Sequence, residues 1–180
     1  TYNQNVCLQN IHPRDLSALY DALQALGLAT ANIDTLADMI CCPGFDYCSL
    51  ANAGSIGIAK RINAHFDDLH VLQDVGKLHL NMSGCINACG HHHTGHIGIL
   101  GIDKRGEDYY QIAVGGHAGS NEALPASISA IIGPAVKPDR VPQVLENLLT
   151  IYRSIRQDDE SFIATVTRVG VDPFREAIDV

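Results

Sequence analysis

Four cysteines in two close pairs, Cys42-x5-Cys48 and Cys85-x3-Cys89 with 36 residues between the pairs, are the residues here whose type and spacing could do chemistry. Four soft thiolates are the ligand set of an iron–sulfur cluster or of a structural zinc ion. Short zinc modules usually separate the cysteines of a pair by roughly two to four residues. The loop from Pro43 to Tyr47 is wider, which suits the larger body of a cluster. A set of Cys85, Cys89, His93 and His96 superficially matches a zinc finger. That pattern needs about a dozen residues between its Cys and His pairs, and here only Gly90, His91 and His92 intervene. The histidines are therefore expected to line a pocket or a surface. Three disulfides are the remaining use of six cysteines, but a chain of 180 residues buries enough core not to need staples.

These loops must be positioned by ordinary elements. Residues 6–11 read as a short strand, and Pro13 opens a helix with Leu16, Leu19, Tyr20, Leu23 and Leu26 on one stripe, closed near Gly27. A further strand is expected over 36–40. A helix is expected from Leu50 to Phe66, with Ile58, Ile62 and Phe66 on one face and slim first turns at Ala51, Ala53, Gly54 and Gly57. Its N-terminus would begin at the cysteine loop, where free N–H groups favour an anionic cluster. Residues 77–81 read as a strand leading into the second cysteine loop. Ile97 and Ile99, then Tyr110, Ile112 and Val114, alternate as two strands joined through the polar stretch from Asp103 to Asp108. Pro134 and Pro138 bracket a short extended piece. Val144, Leu145, Leu148, Leu149, Tyr152 and Ile155 mark an amphipathic helix from Val141. Shorter helices are expected around 161–168 and after Pro173. The fold class is α+β, a mixed β-sheet with flanking helices. Cys41, beside a candidate ligand but pointing the other way in an extended segment, and Cys7, in an apolar strand, are expected to be core thiols.

Composition narrows the function classes. A net charge of −8 with scattered Lys and Arg excludes a nucleic-acid partner. No apolar run is long enough to span a membrane, and the start has neither the basic nor the apolar region of a signal peptide. Reduced thiols fit a cytoplasmic location. The absence of an initiating Met fits a chain that begins partway into a larger protein.

The segments Cys42-Pro43-Gly44-Phe45-Asp46-Tyr47-Cys48-Ser49-Leu50-Ala51 and Ser83-Gly84-Cys85-Ile86-Asn87-Ala88-Cys89-Gly90 resemble the two signature loops of the siroheme-[4Fe-4S] sulfite and nitrite reductases. The likeness extends over His91–Gly101, Tyr110–Gly116 and Gly170–Phe174, and is greatest to the C-terminal part of a bacterial sulfite reductase hemoprotein. The resemblance implies a nitrite/sulfite reductase 4Fe-4S domain-like fold over 41–180, preceded over 1–40 by the tail of a ferredoxin-like half domain. It implies that Cys42, Cys48, Cys85 and Cys89 bind one [4Fe-4S] cluster and that Cys89 also bridges to the siroheme iron. Asn87 is expected to cap the turn between its two cysteines, and His91 to neutralise a siroheme carboxylate. The implied reaction is multi-electron reduction of sulfite to sulfide, with nitrite to ammonia as the alternative. The basic residues that grip an anionic substrate in this family lie in a preceding half that this chain lacks. That N-terminal half is thus an implied partner, along with an electron donor, ferredoxin or an NADPH flavoprotein, and the chain alone is expected to be inactive. A cluster-only electron carrier and a zinc-stabilised module remain open.

Overall fold

The computed structural model describes residues 1–119 and 124–178. Five strands form one mixed sheet in chain order: β1 (Ile40–Cys41), β2 (Leu80–Ser83), β3 (Ile97–Lys104), β4 (Glu107–Val114) and β5 (Ala130–Ile131). The first three run parallel, and β4 and β5 are antiparallel to their neighbours. The β3–β4 hairpin pairs from Ile97 opposite Val114 to Lys104 opposite Glu107, turning at Arg105-Gly106 with both residues left-handed. That is the turn chemistry a tight hairpin demands. The extended piece between Pro134 and Pro138 pairs with β4 through Val136 and Tyr110.

Helices α2 (Ile56–His65), α3 (Leu69–Val75), α4 (Val141–Ile155) and α5 (Phe162–Val169) close the core over the sheet. Helix α4 buries Val141, Val144, Leu145, Leu148, Leu149 and Tyr152, the stripe its periodicity predicts. Arg156, just after α4, and Arg153 within it clasp Asp74 at 2.9 and 2.8 Å, which fastens α3 to α4 and holds that carboxyl below its usual range.

Several expectations are corrected. Residues 6–11 form no strand, and Val6, Cys7, Leu8 and Ile11 are exposed, so Cys7 is not a core thiol. An apolar run with no neighbouring edge to pair with has no ladder to join. The strand expected over 36–40 is reduced to the two residues of β1, whose outer edge is met by a side chain: Gln4 Nε2 donates to the Cys41 carbonyl and its Oε1 accepts from the Cys41 N–H, both at 2.9 Å. The helix α1 (Leu16–Ala25) forms where expected but buries none of its residues. The segment after Pro173 forms a tight 3-10 helix, Asp172–Ala177.

Candidate functional site

The second strand, β2, explains how the second cysteine loop is held. Its apolar residues Leu80 and Met82 enter the core, whereas Asn81 and Ser83, pointing to the other face, turn their polar groups to the loop. Ser83 Oγ accepts the Gly90 N–H at 3.1 Å, and Asn81 Nδ2 donates to the His91 carbonyl at 3.0 Å. Between these anchors the chain reverses tightly, with Ala88 N–H to Cys85 O and His91 N–H to Ala88 O. Ala88 and His91 adopt left-handed backbone at φ 57° and 53°, conformations that cost a non-glycine residue about 1 kcal/mol or more. Gly90 lies so close to β2 that a Cβ would stand 1.9 Å from the Met82 carbonyl oxygen.

The first loop leaves β1 at Cys42, whose N–H bonds the Met82 carbonyl at 3.0 Å. Gly44, at φ +59°, turns it so that the Cys48 N–H returns to the Gly44 carbonyl at 2.9 Å. Residues 49–55 are loop rather than the expected first turns of a helix, and α2 starts at Ile56. The reason is competition for their backbone: Gly54 bridges Gly44, while the N–H groups of Asn52 and Ala53 both donate to the Gly84 carbonyl. Asp108 and Tyr110 of β4 clamp this segment from behind. Asp108 Oδ2 accepts the Gly54 N–H at 2.9 Å, and the Tyr110 hydroxyl donates to the Gly54 carbonyl at 2.5 Å. Burial and the Asp108 carboxylate push the Tyr110 phenol far up, so it stays a donor.

The two cysteine loops thereby lock together. A Cβ on Gly84 would stand 2.8 Å from Gly44 Cα, and the Gly84 N–H donates to Cys42 Sγ at 3.0 Å. All four cysteines are free thiols; Cys42 and Cys85 are buried, Cys48 is half-buried and Cys89 is exposed. Among the described residues no group of three or more His, Cys, Asp or Glu gathers tightly enough for a single metal ion. A four-iron cluster spreads its thiolates more widely, and the donor set of four thiols from two interlocked loops, with an N–H aimed at one sulfur, fits it. Cys41, half-buried, packs against the core, and burial pushes its thiol up to about 12, followed in effect by Cys42 and Asp46.

Around the thiols the loop tips are apolar and uncovered: Phe45, Tyr47, Leu50 and Ile86 are all exposed, Tyr47 by 84% and Ile86 by 75%. Asn87 and His91 are exposed on the second loop. His92 is buried, and burial, then the neighbouring His93, push its imidazole down to about 4. His96 stacks between His79 and His117 at 4.7 and 5.8 Å, with His79 Nε2 3.4 Å from Asp34 Oδ1. The histidine run is thus divided between surface (His91, His93) and interior (His92, His96). Beside it a cavity of about 240 Å³ is lined by Asp34, Asp38, His79, Asn81, His91 and Thr94 among others. The sequence carried no signal for Ser55 or for the Asp108–Tyr110 clamp, because both act through contacts far apart in the chain.

Two glycine-locked cysteine loops thus lie side by side at one end of the mixed sheet. Residues 33–180 match the family described as "Nitrite and sulphite reductase 4Fe-4S domain", and the chain belongs to that family. It is 28% identical over 178 residues to the sulfite reductase [NADPH] hemoprotein beta-component of Methylobacterium nodulans, covering 94% of this chain and 27% of that protein. It is 23% identical to sulfite reductase [ferredoxin] 2 of Mycolicibacterium paratuberculosis, covering 96% and 32%. Among solved structures it resembles the Mycobacterium tuberculosis NirA protein, with a TM-score of 0.75 at 23% identity over 92% of this chain and 31% of that one. It also resembles dissimilatory sulfite reductase I, with a TM-score of 0.65 at 15% identity over 77% and 51%. The α+β fold expected from the sequence is the fold of the NirA protein. The chain spans about a third or less of the length of the curated relatives it matches. Among the described residues, no helix is long and apolar enough to cross a membrane.

Proposed function

We propose that this chain is the cofactor-binding portion of an assimilatory sulfite reductase, in which Cys42, Cys48, Cys85 and Cys89 ligate one [4Fe-4S] cluster and Cys89 also bridges to siroheme. The observation that supports this reading is the interlock of the two cysteine loops, where a Cβ on Gly84 would stand 2.8 Å from Gly44 Cα and the Gly84 N–H donates to Cys42 Sγ at 3.0 Å. When bound, a tetrapyrrole iron coupled to a cluster through one thiolate supplies the multi-electron reduction of a small oxyanion. The chain's own residues hold and shield that chemistry. Cys42 and Cys85, which are buried, would hold the inner side of the cluster, and Cys89, which is exposed, would be the one to reach a second iron. Gly84 and Gly90 permit close backbone approach. The uncovered Phe45, Tyr47, Leu50 and Ile86 form an apolar rim that excludes water once covered. His91 would pair a carboxylate of the macrocycle, and Asn87 would shape the turn between its cysteines.

The domain boundary near residue 40 belongs to the same proposal. Residues 1–40 belong to a half domain completed elsewhere in a longer protein, which also supplies the basic grip on the substrate, and a ferredoxin or NADPH flavoprotein supplies electrons in the cytoplasm. The test is the ultraviolet–visible spectrum, with iron and acid-labile sulfide content, of the full-length enzyme and its Cys89→Ser variant. A Soret band with cluster absorption, both lost in Cys89→Ser, is the expected result. Cluster absorption without a Soret band would favour a cluster-only electron carrier, and zinc without iron would overturn the proposal. Parallel assays with sulfite and nitrite assign the substrate; faster turnover of nitrite would move the chain to the nitrite-reducing branch.

A further inference from the structure

Ser55 occupies the N-cap position of α2, yet its side chain makes no capping hydrogen bond to the helix. A serine there normally accepts an N–H of the first turn, an interaction that contributes about 0.5–2 kcal/mol. Here the hydroxyl is fully buried and points instead at the cysteine loops, with Cys42 Sγ at 3.9 Å. Its place is fixed by both loops: a Cβ on Gly44 would stand 2.5 Å from Ser55 Oγ, and one on Gly84 would stand 2.9 Å from it. The hydroxyl therefore fills the space that the two glycines leave open. A buried hydroxyl requires a partner, and a cysteine thiolate holding a metal can only accept.

We propose that Ser55 donates its hydroxyl proton to the Cys42 sulfur and thereby raises the reduction potential of the cluster. This rests on the reading above, in which Cys42 is a cluster ligand. The Gly84 N–H already donates to the same sulfur at 3.0 Å, so Cys42 carries two donors from two different segments. Reduction adds one electron from an external one-electron donor, and with it one negative charge, to the thiolate-ligated cluster; no bond forms or breaks. Hydrogen bonds to the cluster's sulfurs stabilise the more negative form and are among the main determinants of potential in such sites. Ser55 is a positioning and tuning residue, touching neither substrate nor the reacting atoms.

The experiment is a redox titration of the full-length holoenzyme, followed by electron paramagnetic resonance, for the wild type, Ser55→Ala and Ser55→Thr. Ser55→Ala is expected to shift the equilibrium about tenfold toward the oxidised cluster, about 59 mV for one electron. Ser55→Thr, which keeps the hydroxyl, is expected to stay near the wild type. Resonance Raman spectra of the wild type in normal and heavy water supply a second readout: a shift of the iron–thiolate stretches that is smaller in Ser55→Ala, where only the Gly84 N–H still donates, supports the bond. A Ser55→Ala enzyme with full iron and sulfide and an unchanged potential overturns the inference while leaving Cys42 ligation intact. A wild type without any isotope shift overturns it even where Ser55→Ala fails to take up iron. A wild type holding neither iron nor sulfide overturns both readings.

Discussion

Helices α1 and α4 look alike as sequence and differ completely in the fold. Both carry leucines at helical spacing, Leu16, Leu19 and Leu23 in one and Leu145, Leu148 and Leu149 in the other. The second buries six residues in the core; the first buries none, and Leu16 and Tyr20 are exposed. An apolar stripe encodes a demand for a covering surface, not the presence of one. In α4 the demand is met by this chain. In α1 it is unmet among the described residues, and a chain about a third or less of its relatives' length leaves room for the cover to lie elsewhere.

Leu148→Ala should show the largest effect on the α4 side of this contrast, about 2–5 kcal/mol of lost stability by chemical denaturation. Gly90→Ala should cost about 1–3 kcal/mol or more, because the new methyl meets the β2 backbone, and iron content should fall with it. A third effect depends on pH. The His92 imidazole stays neutral in the fold down to about 4, against an ordinary 6.5. Between those values the unfolded chain takes up a proton that the folded one refuses, so stability falls as pH drops from 6.5 toward 4. The expected loss between pH 7 and pH 5 is about 1–2 kcal/mol, and His92→Phe should lessen that slope in melting curves. The smallest effect falls on α1: Leu16→Ala should change the stability of this 180-residue chain by less than about 0.5 kcal/mol. In the longer protein proposed above the same substitution should be clearly more destabilising, by about 2 kcal/mol or more. Equal, small effects in both would break the contrast and leave α1 as a surface helix.

What could be read from sequence was what local pattern determines. The β3–β4 hairpin followed from alternation around a polar turn, and α4 from a stripe sustained over fifteen residues. The four cysteines announced themselves by type and spacing. The misreadings arose where tertiary pairing overrode local preference. Residues 6–11 have strand composition but meet no strand. Residues 50–55 have helical composition, yet Asn52, Ala53 and Gly54 bond Gly84, Gly44 and Asp108 instead. Strands of two residues, such as β1 and β5, are too short to announce themselves by alternation. The parts of the candidate site that came from outside the cysteine motifs, Ser55, Asp108 and Tyr110, needed the fold to become visible.

The shortness of β1 has one more consequence. Ile40 pairs with Asn81 and Cys41 with Met82, and this two-residue register sets which of two adjacent cysteines faces Gly84. A slip of one place would turn every side chain of the segment to the opposite face. It would present Cys41, whose thiol burial keeps protonated here, where Cys42 now stands. The strand thus works as a selector between two adjacent sulfurs, and Gln4, gripping the Cys41 backbone from the far edge, is the catch that holds the register.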